Sequence, residues 1–241
     1  MIFQDIGNKI LNIFLPPLCY GCQKPLLEAQ KLCGECWVKL QFIRSPSCVT
    51  CGLAFDVDMG ENAECLSCLD GDFPFDLMRS VLKYDEFSKK LIMRFKHNDR
   101  TELLPLFMDW FALYVKDFKD IDVIIPVPLH WKRLFKRKYN QSALLAQKLS
   151  KNINCSFDPF SLKRIHATQP QHGNKQERAF NMKGVFGIAK EASKKLKGKN
   201  ILLIDDVVTT GATIKACAEI LKENDVQKVF VLSIARVNLP L

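Results

Sequence analysis

Two adjacent aspartates, Asp205 and Asp206, lie between a short apolar run and small hydroxyl residues in ILLIDDVVTTGAT, residues 201–213. The amides and hydroxyls of Thr209–Thr213 suit a phosphate, and Gly211 lets a ligand approach the backbone closely. The carboxylates can accept hydrogen bonds from vicinal hydroxyls or help to hold hydrated Mg²⁺. Together these groups describe a site for a ribose 5-phosphate. An ordinary helix cap is the structural alternative, but a cap needs only one such residue.

Eight of the ten cysteines form four Cys-x-x-Cys pairs before residue 69. Two thiolates on one tight turn can bind one tetrahedral ion, and two such turns complete a four-sulfur shell. Gly21 and Gly52 suit these turns. Sequential pairing gives two structural zinc sites, whereas pairing the first turn with the third and the second with the fourth stays open. The predicted ligands are Cys19, Cys22, Cys33, Cys36, Cys48, Cys51, Cys65 and Cys68.

Disulfides, an iron–sulfur cluster and thioredoxin-like redox chemistry compete with zinc at these pairs. Disulfides suit a secreted chain, and no export signal is visible. A redox pair usually occurs singly at a strand–helix junction, so four repeats favour a structural role. A module of this size buries little core, and metal binding should supply much of its folding energy. Cys155 and Cys217 lack partners at ligand spacing and are predicted to be small apolar residues.

The formal charge of +9 is unevenly distributed along the 241 residues. Residues 1–70 carry five basic and eight acidic residues, and residues 71–241 carry thirty and eighteen. The stretch 123–157 has seven basic residues and no acidic one. Such a surface favours phosphates, pyrophosphates or nucleic acid, although a solvated basic face without a partner is equally compatible with the composition.

The periodicity of apolar residues after residue 72 predicts strands that alternate with helices. Continuous apolar strands are typical of a mostly parallel sheet covered on both faces, so we expect an α/β fold whose ligands bind beyond the carboxyl ends of the strands. We predict two parts: residues 1–72, an N-terminal helix and double zinc ribbon, and residues 73–241, the α/β domain. The predicted strands are 77–84, 122–128, 201–204 and 228–235, and the predicted helices are 86–97, 102–118, 140–151 and 213–223.

The N-terminal segment MIFQDIGNKILNIFLPPL has no basic region before its apolar residues and no cleavage site. Its apolar residues fall near helical spacing, which predicts a short helix packed on its own protein, with a membrane-surface anchor as the alternative. No apolar run is long enough to cross a bilayer. We therefore expect a cytoplasmic protein, with membrane contact at most peripheral and at the inner face.

The segment 201–213 resembles the phosphoribosyl-pyrophosphate signature of type I phosphoribosyltransferases. With it, four further features resemble the ComF family of competence proteins, which includes ComFC-type and GntX-type proteins. They are the cysteine pairs, PVPLHWKRLFKRKYNQS (126–142), and two motifs around the arginines of R-x-x-x-T-x-x-Q (Arg164, Thr168, Gln171) and R-x-x-N-x-x-G-x-F (Arg178, Asn181, Gly184, Phe186). The likeness extends from about Leu18 to Arg236.

The resemblance implies phosphoribosyl pyrophosphate (PRPP) with Mg²⁺ as ligand, and Asp205 and Asp206 as catalytic residues that meet the ribose hydroxyls. It implies a 5-phosphate loop and, more weakly, a pyrophosphate loop. Family members commonly show R-G-(F/Y)-N-Q, where this chain has Arg137-Lys138-Tyr139-Asn140-Gln141, so a left-handed backbone at 138 is disfavoured. The implied PRPP-binding residues are Val127, Pro128, Leu129, Asp205, Asp206, Val208, Thr209, Thr210, Gly211, Ala212 and Thr213.

The ComF resemblance implies a role in natural transformation, in the uptake or handling of transforming single-stranded DNA, with a helicase-like ATPase as partner. Cations interleaved with Trp131, Phe135 and Tyr139 suit a single strand, through phosphate contacts and base stacking. The same segment equally suits a mobile active-site loop whose cations meet pyrophosphate and whose aromatic residues pack in the protein. The predicted nucleic-acid contacts are Lys132, Arg133, Lys136, Arg137 and Lys138.

The alternative function is an active phosphoribosyltransferase of nucleotide salvage or metabolism with no DNA role. The motif predicts a ligand, and whether turnover occurs stays open. The segment from Leu77 to His97 is compatible with a nucleobase hood or with a packed strand and helix. Within it, Arg94 and Lys96 either reach the ligand or are solvated.

Overall fold

The structure is a computed structural model that describes residues 16–26, 31–71, 73–97, 101–129, 134–135, 139–165 and 184–238. Two sequence predictions lie outside these residues. One is the N-terminal helix, which falls on residues 1–15. The other is most of the basic segment, together with the greater part of the two arginine motifs between 166 and 183.

The described residues form a five-stranded parallel sheet with the strand order β1-β7-β6-β2-β3. After β2 the next strand of the sheet, β3, lies towards one edge, and after β6 the next strand, β7, lies towards the other edge. The order in which strands are added therefore reverses between β2 and β6. This reversal is the topological switch point at which open α/β sheets bind ligands. The strands are β1 (Leu77–Lys83), β2 (Val123–Pro126), β3 (Ser156–Phe157), β6 (Asn200–Val208) and β7 (Lys228–Arg236), and an antiparallel pair consists of β4 (Leu162–Arg164) and β5 (Phe186–Ile188).

Helices cover both faces of the sheet, which confirms the predicted α/β class. Two apolar cores result, one on each face. The helix after β2 packs in the first core through Leu145 and Leu149, and the helix after β6 packs in the second through Ile214 and Leu221. The helices are α1 (Gly34–Trp37), α2 (Leu66–Leu69), α3 (Glu86–His97), α4 (Leu104–Tyr114), α5 (Gln141–Ile153), α6 (Lys190–Leu196) and α7 (Ala212–Lys222).

Helix α3 has the predicted bounds, whereas the predicted helix 102–118 is divided. Short 3-10 turns at Thr101–Leu103 and Val115–Asp117 flank α4. The first and last turns of helices often tighten to 3-10 geometry, and the apolar sequence carries no signal for this tightening. The predicted strand 201–204 continues to Val208, because β7 pairs with it through Arg236. The sequence prediction missed β3, β4, β5 and α6, which are short.

The cysteine-rich part follows the outer edge of β1. Ile43 N donates to Val81 O (2.9 Å), Lys83 N donates to Gln41 O (2.8 Å), and Met78 N donates to Thr50 O (2.8 Å). These bonds cover a sheet edge that would otherwise expose unpaired backbone groups. The predicted division at residues 72 and 73 stays a prediction, since this edge joins the two parts closely.

The two cysteine clusters pack on opposite faces of the sheet. The first cluster (Cys19, Cys22, Cys33 and Cys36) lies beside the core that holds α3, α4 and α5, and the second cluster (Cys48, Cys51, Cys65 and Cys68) belongs to the core that holds α7. The chain thus passes from one face to the other around β1. Among the residues that the structure describes, no helix has the length and apolarity needed to cross a bilayer.

Candidate functional site

Strands β2 and β6 separate at their carboxyl ends and open a site between them. Pairing of β2 with β6 ends at Pro126 and Ile204, with a last bond from Val127 N to Ile204 O (2.9 Å). Strand β6 continues along β7, so the acidic pair (Asp205 and Asp206) follows the point where its β2 neighbour has left. The loop after β2 (Val127–Leu129) and the acidic pair therefore lie at the switch point, as the sequence predicts.

The phosphate turn (residues 209–213) follows β6 and opens α7. Gly211 has φ +72°, a left-handed conformation that favours glycine, and it is the N-cap residue. Among the described residues no side chain caps this helix end, and Lys215 N donates to Gly211 O (2.8 Å). The first-turn amides of a helix have no partner within the helix, so they are suited to bind an anion. The ordinary-cap alternative is not what the described residues show.

Asp205 is half-buried and held in place by two donors. Ser142 Oγ donates to Asp205 Oδ1 (3.2 Å), and the Asp206 amide donates to the same oxygen (2.8 Å). Burial and then the neighbouring Asp206 carboxylate raise the pKa of Asp205 to about 7, against the smaller lowering effects of these hydrogen bonds and of Lys96. The high pKa of Asp205 thus reflects its burial beside a second carboxylate.

Asp206 forms an ion pair with Lys96, which comes from the last turn of α3. The distance from Lys96 Nζ to Asp206 Oδ1 is 2.9 Å, and the two side chains are 15% and 13% exposed. Of the two open possibilities for Lys96, the structure thus supports a place in the site. Arg94 lies elsewhere: its Nη1 donates to Tyr20 O (2.7 Å) and Gly21 O (2.8 Å) in the first cluster.

The YNQS segment (Tyr139–Ser142) joins the parts of the site. Tyr139 Oη donates to Phe95 O (2.7 Å), and Gln141 Nε2 donates to Lys96 O (3.1 Å). Asn140 Nδ2 donates to Val127 O (3.0 Å) in the loop after β2, while its Oδ1 accepts from Ser142 N and caps α5. The predicted site did not include this role of Asn140, although asparagine is among the residues preferred at the N-cap of a helix.

Both cysteine clusters fit a tetrahedral zinc ion. In each cluster the four sulfur atoms lie within 4.8 Å of one another, and the clusters use sequential pairs, which resolves the pairing that the sequence left open. The distances Cys22 Sγ–Cys33 Sγ (3.7 Å), Cys48 Sγ–Cys68 Sγ (3.5 Å) and Cys51 Sγ–Cys65 Sγ (3.6 Å) are close to the ~3.8 Å expected around Zn²⁺. All ten cysteines are free of disulfides.

Gly21 offers a sharp test of the first cluster. A Cβ there would meet Cys36 Sγ at 2.6 Å, whereas a Cβ at Gly34, in the same cluster, would meet nothing within 4 Å. We expect elemental analysis to find about two zinc ions per wild-type chain, about one in Gly21→Ala and about two in Gly34→Ala. Two zinc ions in Gly21→Ala would contradict the geometry of this turn.

The predicted nucleic-acid contacts Lys132, Arg133, Lys136, Arg137 and Lys138 lie outside the described residues. Within the same segment, Phe135 is 89% exposed, whereas Tyr139 is half-buried with its hydroxyl bonded to α3. Next to the loop after β2 lies a pocket of about 550 Å³, lined by apolar and aromatic side chains and by Lys163 and Arg164. These cations and Phe135 keep the nucleic-acid prediction open.

Fold and site together define a phosphoribosyltransferase-type α/β domain attached to a double zinc ribbon. The family model for the double zinc ribbon domain matches residues 10–69, and the model for the phosphoribosyl transferase domain matches residues 140–238. The chain is 30% identical to Competence protein F of Haemophilus influenzae over 95% of its own length and 94% of that protein. The chain belongs to the ComF family of competence proteins.

Two further relatives are similar to this chain over most of its length. The chain is 30% identical to the DNA utilization protein YhgH of Escherichia coli K12, over 92% of its length and 98% of that protein, and to Competence protein ComFC of Bacillus subtilis, over 80% and 79%. A solved adenine phosphoribosyltransferase matches 62% of this chain and 84% of its own at 16% identity, with a TM-score of 0.39. The fold assignment therefore rests on the family models and the strand order.

Proposed function

We propose that this ComF-family protein binds PRPP with Mg²⁺ at the switch point between β2 and β6, and that it acts in the handling of transforming single-stranded DNA. The observation that carries the ligand proposal is that three parts lie together at the carboxyl ends of β2 and β6. They are the acidic pair, the uncapped phosphate turn at Gly211, and the loop after β2.

Each part has one task in this proposal. The uncapped amides of α7 and the hydroxyls of the phosphate turn bind the 5-phosphate. The acidic pair accepts hydrogen bonds from the ribose hydroxyls. The Leu129 amide of the loop after β2 binds the diphosphate, since Val127 N bonds to Ile204 O and Pro128 has no amide hydrogen. Asp205 and Asp206 would hold hydrated Mg²⁺, which when bound neutralises charge on the diphosphate. Ser142 and Asn140 keep Asp205 and the loop in place.

Calorimetric titration with PRPP and Mg²⁺ tests the ligand proposal. We expect one ligand per wild-type chain and no measurable binding in the double variant Asp205→Ala/Asp206→Ala, because both acceptors of the ribose hydroxyls are removed. Ribose 5-phosphate alone should bind more weakly, since it lacks the diphosphate. A wild-type protein that binds no PRPP would end the proposal. Pyrophosphate release on addition of a nucleobase would favour the alternative, an active phosphoribosyltransferase of nucleotide metabolism.

The DNA part of the proposal is supported by charge and by the relatives. The stretch 123–157 has seven basic residues and no acidic one, and the names of the relatives refer to competence and DNA utilization. A groove with cations and exposed aromatics such as Phe135 suits a single strand. The same cations also suit pyrophosphate, so PRPP and a strand should compete if they share this segment.

Fluorescence titration with a labelled single-stranded oligonucleotide tests the DNA part. We expect affinity to fall steeply with salt, and to fall by about tenfold or more when Arg133, Arg137 and Lys138 are neutralised together, because each phosphate contact releases counterions. Neutralising Lys194 in α6, Lys197 at its end and Lys228 at the start of β7 provides the control. Equal effects of the two triple variants would remove the segment from the proposal.

We further propose that the protein works in the cytoplasm, at or near the inner face of the membrane, with a helicase-like ATPase of the uptake machinery. Identification of proteins that co-purify from competent cells tests the partner. Transformation of a deletion strain tests the pathway: normal transformation frequency would contradict the role in DNA uptake.

A further inference from the structure

Helix α3 connects the first cysteine cluster to the candidate site. Arg94 Nη1 donates to two carbonyls of the first cysteine turn, Tyr20 O at 2.7 Å and Gly21 O at 2.8 Å. Two residues further on, Lys96 Nζ lies 2.9 Å from Asp206 Oδ1. One turn of one helix thus contacts the cluster with one cation and the acidic pair with another.

The carboxyl end of α3 is fixed from the opposite side as well. The YNQS segment binds the carbonyls of Phe95 and Lys96 through Tyr139 and Gln141, at 2.7 Å and 3.1 Å. Near the start of α3, Phe87 packs against the first cysteine turn, since a Cβ on Gly21 would lie 2.9 Å from its ring. Lys96 is therefore held by a helix whose position depends on the cluster.

The ion pair places Lys96 where a ligand would meet Asp206. A ribose diol or hydrated Mg²⁺ needs the same carboxylate oxygens, so ligand binding must weaken or share the pair. The displaced ammonium would then lie beside the negative phosphates of the ligand, where it gains a partner again. A lysine whose side chain is only 15% exposed cannot be left without a counter-ion at low cost.

We propose that Lys96 binds the ligand of this site and that Arg94, by fastening α3 to the first cysteine cluster, is the positioning residue for Lys96. This inference rests on the proposed PRPP site and gives the first zinc ribbon a task in ligand affinity. The second cluster supplies a matched comparison. There Arg79 Nη1 donates to Val49 O (2.9 Å) and Arg79 Nε pairs with Asp117 (3.2 Å), contacts that belong to the edge of β1.

The test is a double-mutant cycle on PRPP affinity with Mg²⁺ present. We expect Lys96→Met and Arg94→Met each to weaken binding about tenfold, and the double variant to weaken it by about the same tenfold, because Arg94 acts through Lys96. Arg94→Lys, which keeps the charge but not both bonds, should show a smaller loss. Arg79→Met should stay within about twofold of wild type. Zinc content and thermal midpoint are measured on every variant.

The outcomes separate this inference from the function on which it rests. A wild-type protein without PRPP affinity would overturn both. Wild-type binding together with unchanged affinity in Lys96→Met or Arg94→Met would overturn only the inference. So would a double variant weakened about a hundredfold, since additive losses mean that Arg94 acts independently of Lys96. If Arg94→Met loses zinc, affinity is compared after zinc is restored, and an affinity that then equals the wild type also overturns it.

Discussion

Replacing Asp205 with asparagine should stabilise the protein at pH 8, and replacing Asp206 with asparagine should destabilise it. Burial holds the pKa of Asp205 at about 7, so its carboxylate form is unfavourable in the folded state. The amide side chain in Asp205→Asn would keep an oxygen that accepts from Ser142 and Asp206 N. We expect the free energy of unfolding to rise by about 1–3 kcal/mol. Asp206→Asn leaves Lys96 without its partner and should lower it by about 1–3 kcal/mol.

The pH dependence has a definite sign. The folded protein holds the Asp205 proton to about pH 7, whereas the unfolded chain releases it near the ordinary value of 3.8. Between these values the folded state binds more protons, so the contribution of Asp205 to stability decreases as pH rises. Urea denaturation from pH 5 to pH 8 should show this decrease in the wild type and a flatter profile in Asp205→Asn. Shifts of the same sign in the two asparagine variants would contradict the described site.

Both asparagine variants should bind PRPP about a hundredfold more weakly, because each loses a charged acceptor for a ribose hydroxyl. Asp205→Asn would then be more stable and less able to bind, as is typical of residues kept for function. Calorimetry on the same samples measures the affinity. Full binding by Asp205→Asn would mean that this carboxylate serves the fold and not the ligand.

Loss of the second cysteine cluster should have the largest effect on stability. Cys48 and Cys51 are fully buried, and they share a core with Met78 and with strands β6 and β7. Arg236, also fully buried, donates to Cys51 O (2.6 Å). We expect Cys48→Ser/Cys51→Ser to lose one zinc ion and about 5 kcal/mol or more of unfolding free energy, because zinc binding contributes directly to folding.

The control for this change is Cys155→Ser, which lies outside both clusters. Its thiol is half-buried and contacts Ile121 O at 3.5 Å, so the variant should keep two zinc ions and lose no more than about 1 kcal/mol. Denaturation followed by circular dichroism, with zinc measured on the same samples, compares the two. A double variant as stable as Cys155→Ser would show that the second ribbon folds independently of the sheet.

The sequence alone was sufficient for the ligands of the clusters but not for their pairing. The Cys-x-x-Cys spacing identifies a turn, whereas the pairing of turns depends on how the chain passes around β1. The bonds from Ile43 to Val81 and from Thr50 to Met78 place each pair of turns on its own face of the sheet. Such contacts join residues about 30–40 positions apart and leave no local pattern.

The extent of β6 shows a second limit of prediction from the sequence. A charged pair after an apolar run normally indicates the end of a buried strand, yet β6 continues through Asp205 and Asp206. It continues because residues Ser233 to Arg236 of β7 still pair with it on one side, after its pairing with β2 on the other side has ended. The open side is the site itself. Local sequence propensity therefore gave the wrong end of β6 at the position of the candidate site.

The sequence pointed to the acids and the turn of the candidate site, but not to the residues that support them. The motif 201–213 contains the proposed ligand-binding groups in nearly consecutive residues, so its spacing is visible in the sequence. Lys96 and the YNQS segment are distant from the acidic pair along the chain, and only the fold brings them together. The sequence left open the role of Lys96, and whether Tyr139 stacks on bases or packs in the protein. The structure shows the Tyr139 hydroxyl bonded to Phe95 O.

The most direct test of PRPP binding at the switch point is the ³¹P NMR spectrum of PRPP titrated with the protein and Mg²⁺. In the proposed site the 5-phosphate would lie at the phosphate turn beside Gly211, and the diphosphate at the loop after β2. The 5-phosphate signal and both diphosphate signals should therefore broaden or shift together, and should stay unchanged with Asp205→Ala/Asp206→Ala. A 5-phosphate signal that remains sharp while the diphosphate signals change would contradict the account, because the phosphate turn would then not hold the ligand.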